Sequence, residues 1–543
     1  MPTTLQIYQV HNCSATSAHG LWREILEKRL DTSSYEYVIP GNRLRAWDTN
    51  TTLQKTPVKD IFYKDGIEIS RVSMPSSCED TFIGFNFCRL YFKDGEKYPA
   101  YESHAELFPA GKTPPILHHL PLVPTLQPFI DVINQDSELI SPVENIEYTA
   151  LAPAIQFQFP EKQTTANALS SDQFARAILP YIRNKQACHP IELELALIIP
   201  FTKNPDRAKI IATETTNVLS REWGCRLDKK FITTAEELEQ WINTNPSSPR
   251  YGFFALDTHI GERPPQVAID WMRFLEDAGI AYSLFNSSSN PIYTRHGNAM
   301  HILTKLGGSH YHTFPASVPD LPNHWCIGLD LGFGAQYKGK MAVMTLTDGK
   351  GKLHAYWRAL KDMDETLTQE ILEEGIRYLV DQAESIAPDR KFIAIRDGRC
   401  PKHETIEFYQ NLLPQGRSVL IEYAKKGNPM MLNGNQQPDA ATLCTLPGSS
   451  DGFLFTAKAP QRECLTNTVK FFSRHNDLNY TTQQLAEILC ALCFAPKLSF
   501  QPSSLPAPIY WADGIASLSM TNLQFAGWAG VPHVTRDFRQ AKI

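Results

Sequence analysis

The stretch "FIAIRDGRCPKHE", residues 392–404, sets Asp397 at the end of a short apolar run and between Arg396 and Arg399. A short apolar run bounded by polar residues reads as a buried strand, and open α/β sheets place their chemistry at the carboxyl ends of strands. Asp-Gly is also a common turn dipeptide, so a plain turn competes with a catalytic acid on this stretch alone. Three further acids stand in comparable places. Asp330 lies on the strand-like "HWCIGLDLGFG", Glu365 on the loop "ALKDMDETLTQE", and Asp513 in "SLPAPIYWADGIASL", where a proline-bounded strand leads into a helix. Two close carboxylates repel unless a cation neutralises them. Mg²⁺ or Mn²⁺ does so with oxygen ligands, and two such ions can activate a water and steady the leaving oxygen of a phosphodiester. The chain carries 58 acidic residues, so any one of them says little. Order and placement carry the reading.

The elements that must position these acids follow from periodicity. From "HWCIGLDLGFG" onward, three strands succeed one another, the last two joined by the turn "TDGKGK"; the amphipathic "LTQEILEEGIRYLVDQAESI" then crosses over to "FIAIRD". A β-meander, a helix and another strand open an RNase H-like fold. In such a sheet the strands of Asp330 and Asp397 are neighbours. Upstream, from about residue 165, strands alternate with helices through "IELELALIIPF", "YGFFALD", "IAYSLF" and the helix "RHGNAMHILTKLGG". That alternation implies a parallel sheet with crossover helices, a Rossmann-like domain whose glycines form no dinucleotide fingerprint. The first 150 residues form an α+β region without a chemical signature, and the proline-rich stretches 109–127 and 501–508 read as loops.

Bulk properties narrow the class. The 543 residues exceed one core, 42% of them are hydrophobic and 20% charged, and no apolar run reaches membrane-spanning length. "MPTTLQIYQVHN" lacks the basic start and apolar core of a signal peptide, so a cytoplasmic protein with no membrane partner is expected. Eleven cysteines lack paired spacing; Cys490 and Cys493 sit in an apolar helix where core packing is the expected role. His310 and His312 alternate as on a strand, which leaves metal binding open. A net charge of −6 argues against a uniformly basic coat but not against a local basic channel.

At "GLDLG", "DETLTQE", "IRDGRCPKHE" and "LPAPIYWAD" the sequence resembles, in order, the four acidic motifs of the PIWI domain of prokaryotic Argonautes, with their Asp-Glu-Asp-Asp tetrad. The resemblance covers about 150–543. It implies an N-terminal and linker-like region over 1–150, a second linker over 151–190 containing "APAIQFQFPE", a MID domain over 191–318 and a PIWI domain over 319–543. It implies that Asp330, Asp397 and Asp513 hold two Mg²⁺ or Mn²⁺ ions, with Glu365 as a mobile fourth acid; Asp362, Asp364 and Glu370 stand close enough to take its place. Arg396 and Arg399 are either a surface salt-bridge pair or contacts to the target or guide backbone.

For the guide's 5′ end, the resemblance points to Lys305 in "HILTKLGG", with Arg295, His296 and Asn298 opening the same helix, where free amides and the dipole favour an anion. A solvated helix face competes for those three. The preceding helix offers Ala268 and Met272 where many members carry Tyr and Lys, so the pocket reads as apolar. Either Lys305 and a metal ion hold the phosphate, or the preferred end is unphosphorylated. The carboxylate of Ile543 is a further candidate at that metal. The first 150 residues leave no room for a PAZ domain of about 100 residues beside an N-like domain and linker. The implied function is a guide-directed endonuclease acting on complementary DNA or RNA in defence against plasmids or phage. Two readings compete: a guide-loaded binding module that recruits or activates a separate effector protein, and an RNase H-like nuclease without a guide.

Overall fold

A computed structural model describes residues 3–11, 20, 26–31, 33–72, 81–100, 107–108, 122–135, 139–159, 163–165, 190–257, 264–334, 339–361, 367–401, 404–425, 427–434, 437–446, 449–456, 468–495, 503–518, 528 and 530–538. They form two compact units, one of 1–151 with 169–171 and 423–473, the other of 152–168, 172–422 and 474–543. The blocks expected at 191–318 and 319–543 thus share a unit, and residues 423–473 group with the N-terminal region.

The first unit is built on the antiparallel ribbon Ile61–Val72 with Thr81–Lys93, inside a seven-stranded sheet. Alternation along the ribbon turns Ile67, Ile69, Ile83 and Phe85 into one core, closed by Phe129 of the helix Leu122–Ile133. That helix overlaps the stretch expected to be a loop and runs through Pro128.

The second unit opens with four parallel strands, Glu192–Ile198 (β1), Arg226–Ile232 (β2), Arg250–Leu256 (β3) and Ala281–Asn286 (β4), in the order β2-β1-β3-β4. Helices Pro205–Asn217 (α1), Ala235–Asn243 (α2) and Gln266–Asp277 (α3) connect them, and Pro291–Lys305 (α4) follows β4. Every residue of β3 is buried, as a non-alternating apolar run requires when both faces are covered. Helix α4 starts four residues earlier than the sequence reading had it: Pro291 brings a preset φ to the first turn, which closes by the bond from Thr294 N–H to Asn290 O at 3.2 Å. The linker strand Ile155–Gln158 pairs antiparallel with His312–Pro315.

A larger sheet then forms. Trp325–Gly334 (β5), Gly339–Asp348 (β6) and Leu353–Lys361 (β7) make the meander; Gln369–Ile386 (α5) crosses to Phe392–Asp397 (β8), parallel to β5. Helix Ile406–Leu412 (α6) leads to Ser418–Ala424 (β9). Helices Thr482–Phe494 (α7) and Ala507–Leu518 (α8) precede His533–Asp537 (β10), which pairs parallel with β7. The strand order within the unit is β10-β7-β6-β5-β8-β9. One face packs Trp325, Ile327, Leu329 and Trp357 against α5, whose cap is Thr368, accepting from Ile371 N–H at 3.3 Å. The other face packs Met341, Val343 and Tyr356 against Trp511, Ala512, Ile515 and Ala516 of α8. Cys490 and Cys493 are core residues of α7, buried from Leu485 through Phe494. Among the described residues no helix is long and apolar enough to cross a membrane.

The strand expected before Asp513 is a helix. Pro508 falls in the first turn of α8, where no amide donor is needed, and its carbonyl accepts from Thr345 Oγ1 at 2.7 Å. A Cβ on Gly332 would run into Ala516 Cβ. We expect Gly332→Ala to destabilise the fold by about 1–3 kcal/mol, and Gly332→Ala with Ala516→Gly to recover part of that loss, both read by urea denaturation.

Candidate functional site

The even positions of β5 face α8. A Cβ on Gly328 would stand 2.5 Å from Pro508 O, and one on Gly332 would meet Ala516, so Asp330 lies between two points of contact with the helix. It is 7% exposed, and its Oδ1 accepts from Leu331 N–H at 2.8 Å. On β8, Phe392 and Ala394 belong to the α5-side core, so Ile393, Ile395 and Asp397 take the α8 side. The parallel ladder ends at Leu329↔Arg396, which makes Asp330 and Asp397 the next rung, side by side on one face. In α8, Trp511 and Ile515 pack toward β6 and β7. At about 100° per residue, Asp513 points away from that contact and is exposed. Asp330 and Asp397 thus share one face of the sheet, and Asp513 belongs to the helix that packs on that face. Among the described residues no three His, Cys, Asp or Glu side chains close on one point as a metal site. Glu365, Asp362 and Asp364 lie outside the described residues, and Glu370 is exposed in the first turn of α5.

Arg396 does not present itself to a nucleic-acid backbone. Its Nε and Nη2 donate to Glu404 at 2.7 and 2.9 Å, and its Nη1 donates to the carbonyl of Asp397 at 2.6 Å. Glu404 is fully buried and also accepts from Tyr409 OH at 2.6 Å. Burial alone would lower the guanidinium's pKa, but the bonds to Glu404 outweigh it and hold the pKa above its ordinary value. The reading of Arg396 as a backbone contact is thus corrected: it is an interior clamp on the strand end that carries Asp397. Gly398 follows at φ +81°, a left-handed turn, and Arg399 beyond it is exposed. The sequence carried Glu404 inside its motif without revealing a role, and gave no local sign of Tyr409.

The residues expected at a guide 5′ end fare differently. Because α4 starts at Pro291, Arg295, His296 and Asn298 lie beyond its free amides, and two of them are engaged: Arg295 Nη1 pairs with Glu214 at 3.0 Å and His296 Nε2 with Glu222 at 2.9 Å. Ala268 and Met272 are core residues packed against the parallel sheet. Lys305 is 9% exposed; its Nζ donates to Tyr282 O at 2.6 Å and sits 5.0 Å from the Trp528 ring centroid. Burial lowers its pKa to about 7, with Glu276 opposing. Nothing in the local sequence paired Lys305 with Trp528, more than two hundred residues away. Ile543 lies outside the described residues. His310 packs edge-on to Trp223 at 5.0 Å.

No family model matches this sequence, and no curated protein matches it. Solved structures do resemble the fold. Drosophila Piwi superposes with a TM-score of 0.66 at 11% identity, over 95% of this chain and 85% of that one. Marinitoga piezophila Argonaute with 5′ OH guide RNA and target DNA gives 0.64 at 11%, over 93% and 86%. Clostridium butyricum Argonaute bound to a guide DNA and a 19-mer target DNA gives 0.64 at 12%, over 95% and 87%. The fold is that of Argonaute and Piwi proteins.

Two outcomes follow. Glu404→Ala strands a buried guanidinium and is expected to cost about 3–5 kcal/mol in urea unfolding, with Arg396→Met/Glu404→Leu recovering much of it. For Lys305 the folded pKa is depressed, so between about pH 7 and 10 the unfolded chain binds more protons and stability rises with pH. The slope is at most about 1.4 kcal/mol per pH unit, and it is expected to be absent from Lys305→Met when the two proteins are compared by denaturation.

Proposed function

We propose that this chain, which has the Argonaute fold, binds a short nucleic-acid guide, seats a complementary DNA or RNA strand on it, and cuts that strand at the edge marked by Asp330 and Asp397. The observation that carries the reading is their register: two carboxylates on adjacent parallel strands, on the same face, at the C-terminal end of β8. That pair is a hard oxygen donor set, the kind Mg²⁺ or Mn²⁺ takes. Asp330 and Asp397 would hold the metal, joined by Asp513 from the flank of α8 and by Glu365. When bound, two such ions polarise the scissile phosphate and lower the pKa of the attacking water.

The chain's own groups do the positioning. Leu331 N–H fixes one oxygen of Asp330, and Arg396, tied to Glu404, fixes the backbone of Asp397, so neither acid needs the strand end to refold. Arg399, exposed two residues on, is the basic group placed to meet a backbone phosphate there. Lys305, beneath Trp528, is the candidate at the guide's 5′ end, and its depressed pKa suits an unphosphorylated end near neutral pH. Base pairing would supply sequence specificity while the protein grips the phosphate backbone, so affinity should fall with salt. Defence against invading DNA is the biological role this activity would serve.

One observation favours the competing reading, a guide-loaded module that recruits a separate effector: the described acids do not close as a three-ligand site. The two separate cleanly. A labelled target incubated with guide and Mn²⁺ is expected to be cut by the wild type and at least a hundredfold more slowly by Asp397→Ala, with guide binding retained. Retained duplex binding without cutting by the wild type, under both DNA and RNA guides, would select the recruiting module.

A further inference from the structure

A cleft of about 280 Å³ opens where the turn ending α4 meets the turn joining β6 to β7. Gly307, Gly308 and Ser309 line one side, and Lys350, Lys352 and His354 the other. Among the described residues that line it, Lys305, Tyr282 and Trp528 do not appear. Asp348, at the root of the turn, pairs with Trp325, five residues back along β5 from Asp330. At about 3.3 Å per residue, the cleft and the paired acids are well separated along the sheet.

The turn is rigidly built. Asp348 Oδ1 accepts from the backbone N–H of Lys350 and of Lys352, each at 3.0 Å, and Oδ2 meets His354 Nε2 at 3.2 Å. The one acid of the cleft is therefore already bonded to its own turn and to the imidazole. The two ammonium groups are not so engaged, for among the described residues neither Lys350 nor Lys352 has an ion-pair partner. Lys352 is laid across the opposite wall, its Nζ 2.8 Å from where a Cβ on Gly307 would stand. Gly307 also has φ +80°, a backbone that glycine accommodates.

The second observation is Ser309. It is 9% exposed, lines the cleft, and its Oγ is buried without a hydrogen-bond partner among the described residues. A buried hydroxyl left unsatisfied is destabilising, and a bound acceptor would satisfy it. Two ammonium donors, a hydroxyl donor and glycine backbone around a small hollow suit a compact anion with several acceptor oxygens. The volume of about 280 Å³ falls just below the usual range of small-molecule sites, about 300 to 1,000 Å³, and suits a small group rather than a folded partner.

We infer that this cleft binds a phosphate group, carried by a free mononucleotide or by the internucleotide backbone of a strand. The inference rests on neither guide loading nor cleavage. Isothermal titration of the full chain with AMP, and fluorescence titration with an oligonucleotide lacking terminal phosphates, test both sources. Against the wild type, Lys350→Glu/Lys352→Glu is expected to weaken binding at least tenfold and Ser309→Ala about threefold. Sensitivity with AMP assigns a free nucleotide, and sensitivity with the oligonucleotide alone assigns backbone phosphate. Equal affinity of wild type and both cleft variants for both probes, or no binding of either, overturns the inference. Ser309→Ala removes a single oxygen, so it carries the test if the double substitution impairs folding.

Discussion

Helix α8 lies as close to β5 as backbone geometry allows because two positions of that strand, Gly328 and Gly332, have hydrogen where any other residue would have carbon. The close approach fixes several things together. It buries Trp511, Ala512 and Ile515 against β6 and β7, and it roofs the face on which Asp330 and Asp397 stand. Asp513, on the side of the helix away from this contact, stays exposed. A buried aspartate between two such contacts is costly without partners, and the bond from Leu331 N–H meets part of that cost.

A second constraint acts from beneath. The buried pair of Arg396 and Glu404, completed by Tyr409, places two charges where desolvation opposes them, and the compensation is geometric: both carboxylate oxygens and two guanidinium nitrogens are used. Such a pair adds little net stability over apolar residues of the same shape, yet is costly to break by removing one partner. Here the consequence concerns the end of β8, because the same guanidinium also binds the carbonyl of Asp397.

Much of this was legible in the sequence. The β-meander, crossover helix and return strand were readable because their apolar runs change period from 2 to 3.6 at the right places, and with them the neighbouring placement of Asp330 and Asp397. The start of α4 was missed because its signal, Asn290-Pro291, precedes the amphipathic pattern by a full turn. The segment before Asp513 was misread because prolines that mark strand edges also open helices. Arg396 was ambiguous because burial is not a local property: its partner lies eight residues on, across a turn. Ala268 and Met272 show the reverse error, in which positional analogy assigned to a pocket two side chains that apolar character alone would have sent to the core.

Helix α7 has a consequence for how the chain is made. It is buried from Leu485 through Phe494, and it receives Tyr311 OH at Phe494 O and Thr313 Oγ1 at Ala491 O, while the strand bearing those residues pairs with Ile155–Gln158. A piece synthesised late is thus the surface on which two early pieces must settle. During translation the strand pair Ile155–Gln158 and His312–Pro315 lacks this covering helix until residues near 494 have emerged, an interval in which the nascent chain is more exposed to aggregation.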